Sequence, residues 1–429
     1  MDSNLAKRLF WMIGLILLYK FGTHVPTPGV DGQALSEFFE QRGAGTIFGL
    51  LNMFTGGALG QMAVLGLGIG PYISASIIMQ LATFMFPSIE RLQKEGESGR
   101  KQIAQYTRYL TLAIAIVQGF IFASSMQGVQ SPISKLPVVT DPGVTFLIFA
   151  TLILTAGAIF TMWLGEQITE RGIGNGSSLL IYVGIASSIL PGISSLKLAL
   201  ENDQLSIGAL LILLVLMVLV IAFIVMMEQG QRRVPVQYAK RQIGKKVYGG
   251  QETHLPLKIN LAGVLPPIFA STLLVFPTTI FSLFSAEWAE RMRGIFSFDS
   301  FLFNILFVIG IVFFCFFYTA ITTNPNDMAD NLRKAGAYVP GIRPGKHTAS
   351  FFNTIITRLT FFGAIYLSAV CVLPTILAGQ FKISINFGGT SLLILIGVAL
   401  DTMSQIQAHL LNMNYEGFLK QARLRGRKV

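Results

Sequence analysis

Few residues in this 429-residue chain have the type and spacing that covalent chemistry needs. The four histidines, His24, His254, His347 and His409, stand far apart, and no pair has the spacing of metal ligands. Cys315 and Cys371 each sit inside an apolar run and read as reduced packing residues, not as a disulfide framework. No Ser–His or paired-Asp arrangement falls within an apolar stretch, and no GxxxxGK[ST] loop is present to cradle a phosphate. The expectation is no enzyme, no metal and no cofactor. Lys20, Glu166 and Asp401 are among the few ionisable residues that enter or border apolar stretches. Asp401 is expected to make a hydrogen-bonded helix contact rather than to carry an ion.

The elements around these residues are membrane spans. Charged residues make up 12% of the chain, against roughly 25% in soluble proteins. Hydrophobic residues reach 52% and mean hydropathy is +0.62. That leaves too little polar surface for a soluble fold of this size. Runs of about 20 apolar residues recur ten times, at 9–26, 69–86, 109–126, 144–165, 177–192, 207–227, 261–284, 301–321, 357–378 and 390–411. The run at 261–284 holds Pro266, Pro267 and Pro277 and is expected to kink or unwind. Lys7 and Arg8 precede the first run as in a signal peptide, but no small-residue cleavage site follows, so a retained helix is expected.

Charge placement gives an orientation. With both ends on one side, 25 of the 32 Lys and Arg fall on that side, which the positive-inside rule makes cytoplasmic. Two loops on that side, 228–258 and 322–356, are longer than connection demands and are basic.

One apolar stretch does not fit a simple span. Residues 47–68 carry Gly49, Gly56, Gly57, Gly60, Gly66 and Gly68, with Asn52, Thr55 and Gln61 among them. Together with the next run it is about twice a bilayer crossing. It reads as a short half-helix, a glycine break, and then a full helix near Pro71. Non-helical backbone at membrane depth needs a protein or cavity lining, so a cavity on the external side is expected; the alternative is an interfacial or re-entrant piece with only a structural role.

Several strings in the expected order give the chain a family resemblance. They include Pro26–Thr27–Pro28–Gly29–Val30–Asp31, Asn52–Met53–Phe54–Thr55–Gly56–Gly57–Ala58–Leu59 and Gly70–Pro71–Tyr72–Ile73–Ser74–Ala75–Ser76–Ile77–Ile78. Others are Lys94–Glu95–Gly96–Glu97–Ser98–Gly99–Arg100, the run from Trp163 to Gly176, Tyr238–Ala239–Lys240–Arg241, the run from Thr253 to Lys258, and Gly341–Ile342–Arg343–Pro344–Gly345. From about residue 8 to 420 the chain resembles the SecY family, the channel subunits of the bacterial protein-conducting translocon. The resemblance implies an all-α, polytopic membrane protein with ten transmembrane helices in two pseudo-symmetric five-helix halves. The halves would be 1–192 and 193–411, followed by a basic cytoplasmic tail, 412–429. Segment 47–62 would be a plug, with Leu50, Asn52, Met53, Phe54, Thr55, Gly56, Gly57 and Leu59 in it. Ile69, Ile73, Ile181, Ile268 and Ile394 would form an apolar pore ring; Ser177 departs from the family pattern and is left out. Ser74, Ser76, Gln80, Gln118, Ser271 and Thr272 would border a lateral gate. Lys240, Arg241, Lys245, Lys246 and Arg343 would dock the motor ATPase SecA or a ribosome.

A narrow apolar ring offers a passing polypeptide no hydrogen bonds or charges and resists wetting. Interhelical polar contacts are individually weak, so a seam of them could close and reopen. The implied partners are SecE, with SecG, SecA, the ribosome, secretory and membrane-protein substrates, SecD, SecF and YidC as accessory proteins, and anionic lipids. The implied location is the bacterial inner membrane. A secondary transporter with broken helices is the alternative, but its spans would hold more ionisable residues.

Overall fold

The computed structural model describes residues 3–39, 47–132, 135–201, 206–238, 241–243, 246–248, 252–281, 288, 291, 294, 300–381 and 388–425. The helices are α1 (Ser3–Gly22), α2 (Gly32–Phe38), α3 (Ile47–Phe54), α4 (Gly70–Met85), α5 (Pro87–Lys94), α6 (Glu97–Met126), α7 (Val144–Arg171), α8 (Gly176–Ser187), α9 (Ile189–Glu201) and α10 (Ile207–Gln229). They continue with α11 (Leu265–Phe281), α12 (Phe301–Thr322), α13 (Pro325–Lys334), α14 (Lys346–Phe381) and α15 (Gly389–Arg425). The strands are β1 (Gln231–Tyr238), β2 (Arg241–Ile243), β3 (Lys246–Tyr248), β4 (Glu252–Lys258) and β5 (Ala337–Tyr338).

Ten of these helices, α1, α4, α6, α7, α8, α10, α11, α12, α14 and α15, fall on the ten expected spans. By length and composition, seven helical stretches among the described residues can cross a membrane, and α4 with α5 makes an eighth that bends by 100°. Pro87 opens α5 and explains the bend, because its ring cannot continue α4. The apolar part of α11 is shorter, Leu265–Val275. Its prolines act differently from one another. Pro266 and Pro267 lie in the first turn, where no N–H is needed, so they start the helix rather than kink it. Pro277 lies inside the helix.

The helices pack through a central cluster that draws buried residues from α1, α4, α7, α8, α10, α11, α12, α14 and α15. Lipid tails are as apolar as Leu, so this cluster is held by close packing rather than by escape from water. α4 packs on α6 and on α11, and α8 packs on α7 and α15.

Loop 228–258 is not irregular. β1 and β4 pair antiparallel from Gln231↔Lys258 to Gln237↔Glu252. β5, from the other long loop, adds to the free edge of β1 through Gln237↔Tyr338 and Tyr238↔Ala337. The two basic loops are therefore one body. Val234, Leu257 and Val339 of that body bury against Phe352, Ile355 and Ile356 of α14. Loop 322–356 is also shorter than expected, since α14 begins at Lys346.

Candidate functional site

The segment after α1 builds one end of the site. Thr27 N donates to Met62 O (3.0 Å) and Val64 N to Val25 O (2.8 Å), which ties the Pro26 strand to the chain between α3 and α4. On its other side Asp31 N donates to Val138 O (2.9 Å), and the Asp31 carboxylate caps α2 through Gln33 N and Ala34 N.

Between these walls residues 47–69 fold as the sequence suggests: a short helix, a break, and a run of turns into α4. Asn52 organises the break. Its Oδ1 accepts from Gly60 N (2.6 Å), and its backbone carbonyl accepts from Gly57 N (2.8 Å) and Thr55 Oγ1 (3.1 Å). Gly56 and Gly57 have φ of +67° and +89°, a region that L side chains rarely adopt. Met53, Thr55, Ala58, Leu59 and Met62 are buried. Leu50 lies in α3, and its side chain falls outside those described.

The break rests on α8. A Cβ on Gly184 would lie 2.2 Å from Phe54 O, so no larger residue fits there without moving backbone. Ser188 Oγ reaches Met53 O at 3.5 Å. Gly157 of α7 receives the next stretch in the same way, with a Cβ only 1.9 Å from Val64 O. Sequence reasoning missed both glycines. Small residues inside spans 4 and 5 were the available signal, since small residues let backbones approach.

Beneath the break lies a small cavity of about 70 Å³. All five expected isoleucines, Ile69, Ile73, Ile181, Ile268 and Ile394, line it, from the start of α4, α8, α11 and α15. Phe54, Thr55 and Leu59 of the broken segment line it too. Ile394 is fully buried, and Ile69, Ile181 and Ile268 are nearly so.

A second cavity, about 440 Å³, opens on the other side. Ile73, Ile181 and Ile268 line both, so they form the partition between the two. The second cavity brings charged and polar groups in among apolar ones. Arg108 Nε pairs with Glu166 at 2.9 Å, and Glu170, Asn175 and Ser177 complete much of its wall. Ser177 donates to Asn175 Oδ1 at 2.6 Å, an N-cap contact. This places it below the partition rather than in it.

The six expected gate residues divide between the cavities. Ser74, Gln118, Ser271 and Thr272 line the small one, and Ser76 and Gln80 the large one. Their hydrogen bonds run within helices. Ser74 Oγ donates to Gly70 O (3.1 Å), Ser271 Oγ to Ile268 O (2.9 Å), Thr272 Oγ1 to Ile268 O (2.7 Å) and Gln80 Nε2 to Ser76 Oγ (3.3 Å). The α4–α11 seam is thus lined by hydroxyls already satisfied on their own helix, not by the interhelical bonds expected of them.

Arg343 is exposed on the turn between β5 and α14, with Gly341 and Gly345 at positive φ on either side. Its carbonyl accepts from Thr348 Oγ1 (2.9 Å), and Ile342 packs into the cluster under the sheet. Arg241 and Lys246 lie on β2 and β3, with side chains outside those described; Lys240 and Lys245 lie outside the described residues altogether. Asp401 pairs with Lys258 at 3.5 Å, beside Asn260, whose Nδ2 donates to Glu228 Oε1 at 2.7 Å. The Lys258–Asp401 contact is an exposed ion pair from α15 to the end of β4, not the hydrogen-bonded helix contact expected of Asp401. Among the described residues no group of His, Cys, Asp or Glu could hold a metal.

Comparison with known proteins places this arrangement. The SecY family model matches residues 63–403. The protein translocase subunit SecY of Vibrio cholerae is 46% identical over 431 residues, covering 99% of this chain and 96% of that one. The Pseudomonas aeruginosa subunit of the same name is 47% identical over 430 residues, covering 99% and 95%. Among solved structures, a protein-conducting channel superposes with a TM-score of 0.67 at 18% identity, over 95% of this chain and 93% of that one. Sec61 in the canine ribosome–channel complex from the endoplasmic reticulum gives 0.62 at 16%, with the same coverage. The chain belongs to the SecY family of protein translocase subunits.

Proposed function

We propose that this translocase subunit conducts unfolded polypeptide through the two cavities, across the isoleucine partition, and that residues 47–62 are the plug that seals it at rest. The observation that carries this reading is the shared lining. Five isoleucines from four helical elements line one small cavity together with the broken segment, and three of them also line the wider cavity that holds Arg108, Glu166 and Glu170. Isoleucine packs around a chain of any composition without binding it, and a dry apolar waist holds back ions.

The seam between α4 and α11 is the lateral gate of this reading. Its hydroxyls need no partner across the seam, so parting the helices leaves no buried polar group unsatisfied. An apolar segment leaving through it gains free energy in lipid. The halves 1–192 and 193–411 move as the two sides of that gate.

Orientation follows from charge: the sheet of the two long loops, the tail and both termini are cytoplasmic, and the membrane is the bacterial inner membrane. Arg343, held out on an anchored turn, is the centre of a docking surface for SecA or a ribosome, with Lys240, Arg241, Lys245 and Lys246 beside it. Basic side chains there would bind acidic protein or phosphate with steep salt dependence. α10 leaves its apolar surface largely uncovered, with only 11% of its span buried. That exposure supports a membrane partner such as SecE along the outside of the bundle, with SecG, SecD, SecF and YidC as further partners. The experiment is signal-sequence-dependent export from reconstituted vesicles with Ile73→Asn and Ile394→Asn. The reading predicts export of substrates with defective signals; selectivity equal to wild type would refute it.

A further inference from the structure

Residues 259–264 join the end of β4 to the start of α11. They lead from the sheet into the α4–α11 seam, and Ile268 of the partition lies on the first turn of α11. A loose link here would absorb any movement of the sheet. This one is held on three sides. Ile259 N donates to Gly230 O (2.9 Å), which fastens the base of the β1–β4 pair to the end of α10.

Asn260 is buried, at 3% exposure, and its side chain makes three hydrogen bonds. Nδ2 donates to Glu228 Oε1 of α10 (2.7 Å) and to Gly263 O (3.0 Å), and Oδ1 accepts from Gly263 N (3.1 Å). Gly263 turns the chain with φ of +65°. One amide therefore shapes the turn into α11 and ties that turn to α10. α14 and α15 close the other sides. A Cβ on Gly363 would touch Ile259 O at 3.4 Å, and one on Gly397 would meet Val264 Cγ1 at 2.3 Å, so both helices lie directly on the link. Gly397 is one helical turn from Ile394 of the partition.

Of the two side-chain contacts from 258–260 to neighbouring helices, Lys258–Asp401 is exposed at both ends, 55% and 62%, and holds little. Asn260–Glu228 is short, charge-assisted and shielded on the Asn260 side, and is the stronger tie.

We infer that Asn260 is a positioning residue for gating: through Glu228 and Gly263 it makes the sheet and the start of α11 one lever, so that a partner docked on the sheet moves α11 against α4. The inference rests on the docking and gate readings above and adds to them the residue that transmits between the two.

The first measurement needs no docked partner. In the purified translocase complex, spin labels on Thr253→Cys and Leu273→Cys report the distance from β4 to α11; both positions are exposed, and Cys315 and Cys371 are buried. The otherwise native chain should give one narrow distribution. Asn260→Asp sets two carboxylates against each other and should widen it about twofold or more. Adding Glu228→Gln puts a donor opposite the new acceptor and should restore the narrow distribution. Asp401→Asn should leave it unchanged. An unaltered width in Asn260→Asp, or a widening that Glu228→Gln does not rescue, would overturn the inference.

The second measurement separates binding from opening, with SecA on the reconstituted complex. Asn260→Asp should keep SecA affinity and resting leak near wild type and lower SecA-driven conductance about tenfold, with most of it recovered in the double variant. Affinity and conductance falling together would mean that Asn260 only holds the docking sheet in shape, and would overturn the positioning role. Failure of the docking reading looks different: Arg343→Glu would leave SecA affinity unchanged, while the label distances keep the widths expected here.

Discussion

The two central cavities share three isoleucines and little else. The one under the broken segment holds about 70 Å³ and is lined in part by Phe54, Thr55 and Leu59. The one below holds about 440 Å³ and presents Arg108, Glu166 and Glu170. A pore for polypeptide has to be wet where the chain enters and dry where ions must stop. In the proposed reading both tasks fall to one short stack of side chains, with the lining changing across Ile73, Ile181 and Ile268.

The comparison can be broken most strongly at that layer. Ile394 is fully buried, so Ile394→Asn puts an amide in a water-excluded site packed for an apolar side chain and should cost the closed state about 2–4 kcal/mol. Ion leak from vesicles and export of signal-defective substrates should both rise by an order of magnitude or more. A leak equal to wild type would mean the layer is ordinary helix packing. Gly184→Ala attacks the upper cavity from behind. Its Cβ would meet the Phe54 carbonyl, so the segment must lift from α8, and exchange of the amides of Gly57 and Gly60 should speed up several-fold. Unchanged exchange would separate the segment from α8. Arg343→Glu sharpens the contrast from outside. SecA-driven export should fall several-fold while resting leak stays at the wild-type level, because the turn touches neither cavity; unimpaired export would remove the docking role. Asn52→Ala has the smallest effect. It frees the Gly60 amide and should loosen the segment by about 1 kcal/mol, seen as a modest rise in leak.

The parts legible in the sequence are those with local signals. Ten apolar runs predicted ten helices, and six glycines in 47–68 predicted a broken segment. The isoleucine layer was legible only through family resemblance, because each Ile alone has the pattern of any packed span. The sheet was not legible. β1 carries Arg232, Arg233 and Pro235, its alternation is short, with only Val234 and Val236 buried, and its pairing with β5 joins residues about a hundred positions apart. The α8 contact was hidden for a similar reason: Gly184 reads as one small residue in a span until Phe54 lies on it. The expected gate residues line the two cavities, but their hydrogen bonds were not foreseen, since a hydroxyl in a helix can turn back to its own carbonyls. Family membership also settles the one functional alternative, a coupled transporter, in favour of a translocase channel.

The most direct test of the sealed pore is single-channel conductance in planar bilayers, comparing the intact complex with one lacking residues 50–62. The account predicts a silent intact channel and frequent openings in the deletion. Silence in both would contradict the assignment of that segment as the seal.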